Sequence, residues 1–225
     1  MLAELRAVRA VAFDLDGTLI DSAADIGHAV NTALAAAGLR RFDLATVRTW
    51  IGDGPDALIA RALAAQGVSA DDTALRQSLR AGFDAATLAA PLAHGQVFPG
   101  IAALLRRLSE RQYPLAVVTN KPTRLAHAVV AAAGLLPWFA QVQGADSAAQ
   151  RKPSPAMLQT TATQLGVAPS HLLMVGDAPP DILAASAAGC PAALVSWGYG
   201  AHAVPAGLSP WRVDRPEQIG DRLLS

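Results

Sequence analysis

From Pro99 onward the chain alternates short apolar runs with amphipathic stretches, an order that few architectures accept. Ile101 to Arg111 has helical spacing, Leu115 to Val118 is an apolar run, Arg124 to Ala133 is helical again, and Ala140 to Val142 reads as a short strand. Ser154 to Leu165, with Pro155 near its first turn, is followed by Leu172 to Val175, Ile182 to Ala188 and Ala192 to Val195, and Trp211 to Leu224 adds one more short strand and a helix. Strands alternating with helices make βαβ crossovers, so the sheet is parallel and covered on both faces. Upstream, Val8 to Phe13 supplies another buried strand, which only Arg9 interrupts and which stops at Asp14-Leu15-Asp16-Gly17-Thr18.

The segment between has a different character. After Asp21, with Ser22 and Asp25 at capping-box spacing, alanine-rich stretches run from Ala23 to Ala37, Ala57 to Ala65 and Thr73 to Ala90. Gly38, Gly52-Asp53-Gly54-Pro55 and Gly67 punctuate them, and no convincing strand interrupts them. The expected fold is therefore α/β: a doubly wound Rossmann-like parallel sheet, built from residues 1–18 and 95–225, with an all-helical domain inserted at residues 19–94.

The 225 residues are 52% hydrophobic and 16% charged, which suits a globular chain with a sizeable core. Eighteen basic and eighteen acidic side chains cancel, so no global field recruits nucleic acid or an anionic membrane, and any anion site must be local. No stretch approaches 18 uncharged apolar residues, and Met1 to Arg9 alternates charged with apolar residues, unlike a signal peptide. Cys190 has no partner for a disulfide and reads as a buried structural thiol. The chain is expected to be cytoplasmic, and the sequence assigns no oligomeric state. Sixteen of the eighteen cations are arginine; Lys121 and Lys152 are the exceptions, which suggests that a compact point charge is needed at each.

Polar residues close several strands: Asp14 and Asp16, then Thr119 and Asn120, then Asp177 with Asp181 close behind, while Lys152 stands in a loop. In open parallel sheets ligands bind outside the carboxyl ends of the strands, so these scattered groups converge on one crevice. Several carboxylates in one pocket repel one another and call for a hard cation, and oxygen ligands suit Mg²⁺. A carboxylate can attack phosphorus, and a second one can serve as general acid and then base. A hydroxyl, backbone N–H groups and a lysine would hold the spreading phosphoryl charge. An acidic pair merely closing an apolar strand would be costly without a partner. The five histidines are scattered, with no two at metal-ligand spacing on one helix.

Asp-Leu-Asp-Gly-Thr-Leu at residues 14–19 resembles the signature of haloacid dehalogenase superfamily phosphatases. Val117 to Lys121 is similar to the second motif of that superfamily, Lys152-Pro153-Ser154-Pro155 to the third, and Gly176-Asp177 with Asp181 to the fourth. The resemblance implies a magnesium-dependent phosphatase with Asp14 as nucleophile and metal ligand. It implies Asp16 as acid/base with its carbonyl on the metal, Thr119 and Lys152 on the phosphoryl group with Asn120 beside them, and Asp177 and Asp181 completing the metal site. Ala178 and Pro180 stand where serine and asparagine are frequent, so the surroundings of the metal are expected to be thin.

The insertion resembles the cap of the C1 class, which closes over the crevice and selects the substrate. Thr49 to Gly54 and Leu115 to Thr123 resemble segments of phosphoglycolate phosphatases. The implied substrate is a small phosphorylated metabolite, 2-phosphoglycolate. N–H groups of Gly52, Asp53 and Gly54 are placed to receive a small carboxylate, and Arg48, Arg61 and Arg80 are candidate cations for it. A dehalogenase would lack Asp16, and a phosphonate hydrolase would need a cap lysine, which residues 19–94 do not contain. A sugar or amino-sugar phosphatase, and a phosphomutase of the β-phosphoglucomutase type, share the same motifs and stay open. A phosphate-sensing binding module would not need an acid/base beside a nucleophile.

Overall fold

The computed structural model describes residues 4–69 and 71–225. Residues 1–3, part of the stretch compared above with a signal peptide, and residue 70 within the insertion lie outside that description. Strand β1 (Ala10–Phe13) is followed by β2 (Ile20–Asp21) and four helices: α1 (Ala23–Ala36), α2 (Leu44–Arg48), α3 (Pro55–Ala64) and α4 (Thr73–Ala89). Then come β3 (Gln96–Val97), α5 (Ile101–Glu110), β4 (Leu115–Thr119), α6 (Thr123–Ala132), β5 (Gln141–Gly144) and α7 (Ala156–Gln164). The chain ends with β6 (Leu172–Gly176), α8 (Pro179–Ala188), β7 (Ala192–Val195), β8 (Trp211–Val213) and α9 (Pro216–Leu223).

Six strands pair in the order β5-β4-β1-β6-β7-β8, parallel throughout. The two-residue period of a strand assigns its side chains to two cores. Val11 and Phe13 join the cluster formed with α5, α6 and α9, whereas Ala10 and Ala12 join the one formed with α7 and α8. In β6, Leu173 and Val175 face the first cluster, and Leu172 and Met174 the second. Alanine on β1 lets α7 approach closely at the middle of the sheet. The six-stranded parallel sheet is the doubly wound arrangement expected, and β1 sits between β4 and β6 at its centre.

The four helices α1–α4 are inserted between β2 and β3 and bury a third cluster, including Val30, Leu34, Leu58, Leu63, Leu79 and Phe83. Leu125 of α6 belongs to that same cluster, so the insertion rests on the sheet domain through shared apolar packing. No strand occurs among the described residues between 23 and 90. Two features escaped the sequence. Helix α2 is too short to show periodicity and carries two β-branched residues, Thr46 and Val47; the Asp43 side chain, accepting from the Thr46 N–H at 2.7 Å, opens it. Strands β2 and β3 form an antiparallel ribbon at the neck of the insertion, each too short to register as a pattern. Helix α8 begins at Pro179, three residues earlier than expected, because prolines in a first turn forfeit no intrahelical bond. No described helix is long and apolar enough to cross a membrane.

Asp25, in the first turn of α1, fastens the neck: it accepts from the N–H groups of Ala93 (2.8 Å), His94 (2.9 Å) and Gly95 (2.8 Å). Asp25→Ala leaves these donors to water, at a cost of about 1–2 kcal/mol. The expected result is a lower urea midpoint with unchanged slope; a midpoint equal to that of the parent would show that the neck needs no such tie.

Candidate active site

The carboxyl end of β1 sets the site. The Asp14 N–H continues the ladder by donating to the Val175 carbonyl at 2.9 Å, after which the chain folds back sharply. Leu15 and Leu19, both fully buried, pin the turn, and the N–H groups of Leu19 and Ile20 donate to the Leu15 carbonyl at 3.0 and 3.1 Å. Gly17 has φ +91°, and a Cβ there would meet the Asp177 carboxylate at 2.6 Å. Only glycine lets this turn run so close to the end of β6.

Asp14, Asp177 and Asp181 each offer an oxygen, all within 4.8 Å of one another. Lys152, 2% exposed, is the hub between Asp14 and Asp181. Its Nζ donates to Asp14 Oδ1 at 2.8 Å, to Asp181 Oδ1 at 2.6 Å and to the Val118 carbonyl at 2.8 Å, which uses all three ammonium protons. Burial by itself pulls the Lys152 pKa down, but the adjacent Asp14 and Asp181 carboxylates outweigh it and hold the ammonium charged. One cation among three carboxylates is too little. Burial pushes Asp14 up to about 7 against the pull of Lys152, with the charges of Asp181 and Asp177 adding to the rise. Asp177 is pushed up to about 6 by burial and then by Asp181. An all-oxygen set short of positive charge fits a divalent metal ion.

The substitutions at Ala178 and Pro180 do not leave this set thinly held. Asp177 accepts from Thr18 Oγ1 (3.1 Å) and from the N–H groups of Tyr199 (2.7 Å) and Gly200 (3.3 Å), and Asp181 Oδ2 accepts from the Ala178 N–H (3.1 Å). The donors to Asp177 come from the first motif and from the loop between β7 and β8. Nothing in the sequence of the fourth motif announces them.

Asp16 faces elsewhere. Two residues on along the turn, its carboxylate accepts from Lys121 Nζ at 2.8 and 2.7 Å and from Ser22 Oγ at 2.6 Å. Each motif aspartate thus has its own buried lysine, and the two lysines are the ones set apart by composition. The family resemblance assigns Lys121 no role; the scarcity of lysine is the signal in the sequence that points to it.

Thr119 is buried at the end of β4, and its Oγ1 accepts from the Lys121 N–H at 3.2 Å. Asn120 does not present its amide to a ligand. Its Nδ2 donates to the carbonyls of Gly52 (3.0 Å) and Lys152 (3.1 Å), and its Oδ1 accepts from the Lys152 N–H (2.7 Å). It joins the insertion to the loop that carries Lys152. Gly54, at φ +82°, approaches so closely that a Cβ would stand 2.8 Å from the Asn120 carbonyl.

Above Asp14 and Asp16 this contact closes a narrow enclosure. Ile26, Trp50, Ile51, Gly52, Gly54, Pro55, Leu58 and Phe83 of the insertion form its roof, and Thr119, Asn120 and Lys121 part of its floor. Asp53 does not share it: its side chain pairs with Arg61 and borders an outer cleft with Arg48, Tyr199 and His202. The three arginines proposed as carboxylate receivers also lie outside. Arg61 is held by Asp53 and the Trp50 carbonyl, Arg80 by Asp56 and Asp84 at 2.7 and 2.8 Å, and Arg48 lies 4.7 Å over the Tyr199 ring.

The family described as haloacid dehalogenase-like hydrolase matches residues 8–189. A phosphoglycolate phosphatase of Rhodospirillum rubrum is 41% identical over 230 residues, covering 96% of this chain and 95% of that protein. One from Cereibacter sphaeroides is 42% identical over 84% of this chain and 85% of its own length. The crystal structure of a predicted phosphoglycolate phosphatase from Haemophilus somnus superposes with a TM-score of 0.86 at 30% identity, covering 95% of this chain and 96% of the other.

The charge imbalance has a thermodynamic sign. Asp14 and Asp177 have folded pKa values above the ordinary carboxylate value of 3.8. Without metal the folded state binds more protons than the unfolded one across this range, so their stabilising contribution is complete below about pH 4 and is lost as pH rises through about 6 to 7. A divalent ion that binds the ionised set reverses the trend. At a hundredfold excess over Kd it adds about 2.7 kcal/mol, or about 5–10 °C in Tm. Differential scanning fluorimetry at pH 5 and 7.5 checks this; a metal response equal at both pH values would separate the ion from these carboxylates.

Proposed function

The chain belongs to the haloacid dehalogenase-like hydrolases, and on that premise we propose that it hydrolyses 2-phosphoglycolate to glycolate and phosphate through a phosphoryl group carried on Asp14. The observation that carries this reading is the pair Asp14 and Asp16, each held by its own buried lysine and both lining one small enclosure. A nucleophile needs to be fixed and an acid/base needs to move; Asp14 is clamped at the centre of the sheet, and Asp16 sits on the turn beyond it. The 2-phosphoglycolate substrate follows from the relatives that carry the phosphoglycolate phosphatase name. The enclosure supports it, because the side chains of Ile26, Ile51, Leu58 and Phe83 offer no partners to the hydroxyls of a sugar.

Mg²⁺ would be held by Asp14, Asp177 and Asp181 with the Asp16 carbonyl, and when bound it supplies charge neutralisation for the phosphoryl oxygens. The chain does the rest. An Asp14 oxygen attacks phosphorus and the ester P–O bond breaks, while Asp16, protonated from solvent as it leaves Lys121, gives that proton to the departing oxygen of glycolate. Asp16 then takes a proton from water, the resulting hydroxide attacks phosphorus, and the bond to Asp14 breaks to release phosphate. Lys152 fixes Asp14 and lies with Thr119 beside the incoming phosphoryl group. The insertion, residues 19–94, acts as a cap that excludes water and shapes the far end of the site, with Gly52, Asp53 and Gly54 as its loop over the crevice.

Asp14→Asn is expected to lower kcat by at least about 10³-fold and to abolish phosphoryl incorporation. Asp16→Ala is expected to keep slow incorporation from an aryl phosphate while turnover falls at least about 10²-fold. Acid quench and mass spectrometry of the peptide containing Asp14 read both, and phosphorylated Asp14→Asn protein would end the covalent reading. The substrate is tested by kcat/KM across 2-phosphoglycolate, hexose phosphates and amino-sugar phosphates; preference for a sugar phosphate overturns it.

Gly54→Val forces a side chain onto the Asn120 carbonyl at a left-handed position. It is expected to cut kcat/KM for 2-phosphoglycolate by at least about 10²-fold, and that for an aryl phosphate by less, since misplacing a positioning element costs on that order. Equal losses in folded protein would assign the loop to the chemistry itself.

A further inference from the structure

Lys121 has no part in the steps above, yet it is 6% exposed and sits within the site. Asp16 is the acceptor its ammonium meets, at 2.8 and 2.7 Å. It is also the one cation among the residues lining the enclosure, whose far walls are apolar. With Arg48, Arg61 and Arg80 engaged elsewhere, a carboxylate entering behind a phosphoryl group finds a single countercharge. An anion does not lodge among Ile26, Trp50 and Phe83 without one.

We propose that Lys121 selects a carboxylate at the non-phosphate end of the substrate, and that this carboxylate displaces Asp16 from Lys121, freeing Asp16 to turn toward the ester oxygen. The inference rests on the reading of 2-phosphoglycolate as substrate. Two carboxylates crowded on one ammonium in an apolar enclosure repel each other. Asp16 is the one with somewhere to go, since it lies on a turn and keeps Ser22 Oγ as a donor at 2.6 Å. A substrate with an uncharged end leaves Asp16 where it is. Selection then appears in kcat as well as in KM, because remote binding energy is used to assemble the reactive set.

The test compares kcat/KM for 2-phosphoglycolate and for 2-hydroxyethyl phosphate, which replaces the carboxylate by a neutral CH₂OH, in the parent, Lys121→Gln and Lys121→Arg. The parent is expected to prefer the carboxylate by more than about 10²-fold, and Lys121→Gln to lose about 100-fold of that ratio, equivalent to about 2.7 kcal/mol. Lys121→Arg keeps the charge and retains part of the preference. A ratio unchanged in Lys121→Gln, both substrates losing alike, overturns the assignment while leaving the substrate intact. A parent without preference overturns the substrate reading, and this inference with it. A second measurement needs no variant: formate, filling the carboxylate position, is expected to accelerate parent turnover of methyl phosphate. No acceleration at any formate concentration refutes the displacement of Asp16.

Discussion

A buried ammonium shared between two carboxylates and a carbonyl holds the centre of this molecule. Lys152 is drawn in by Asp14 and Asp181, and it can afford burial only because all three of its protons find acceptors. Its contacts reach the end of β1, the end of β4 and the first turn of α8, so three crossovers of the sheet must close correctly before the charge is satisfied. Removing one partner would leave an uncompensated charge in the interior, which is far more damaging than losing an apolar contact. The geometry of Asp14 is therefore a by-product of how the sheet solves an electrostatic problem.

That solution is incomplete without a further cation, and the incompleteness is useful. A pocket that satisfied its carboxylates fully would have no attraction for a metal ion or for a phosphoryl group that brings its own charge. Here Asp14 and Asp177 are held above the ordinary carboxylate range by burial and by their neighbours. The cost is borne by the two apolar clusters on either face of β1, whose alternation of alanine with valine and phenylalanine positions the strand. Site and core are not separable: the strand that leads into Asp14 is buried along its whole length at the centre of the sheet.

The insertion is attached more lightly. It meets the sheet domain through Leu125, the Asn120 to Gly52 hydrogen bond, the Arg151 to Asp56 ion pair at 3.0 Å and the ribbon at its neck, with Ser22 on Asp16 and Tyr199 against Asp21, Ser22, Ala23 and Arg48. Outside the neck these links are mostly polar, and exposed polar links hold two parts together less firmly than an apolar seam. Asn120 is notable among them, since the same amide grips the loop bearing Lys152 and the cap loop. Placement of the roof is thereby tied to placement of the hub.

Much of this was written in the chain. Short apolar runs ending in Asp14, Thr119 and Gly176 gave the parallel sheet and the edge at which chemistry gathers, because strand ends in such sheets share one rim. Alanine-rich spacing gave α1, α3 and α4, while α2 and the neck ribbon were too short to leave a pattern. What the sequence could not decide is where each side chain on that rim points. Asp14 and Asp16 are two residues apart and adopt different lysines, one 138 and the other 105 positions away. Asn120 turns inward, Asp53 turns outward to Arg61, and Asp177 takes its donors from Thr18 and from a loop that begins after β7. Residue type and spacing fix which groups arrive at the rim, since backbone periodicity is local. Their pairing is settled by competition among charges brought together from distant segments, and only the folded chain holds that competition.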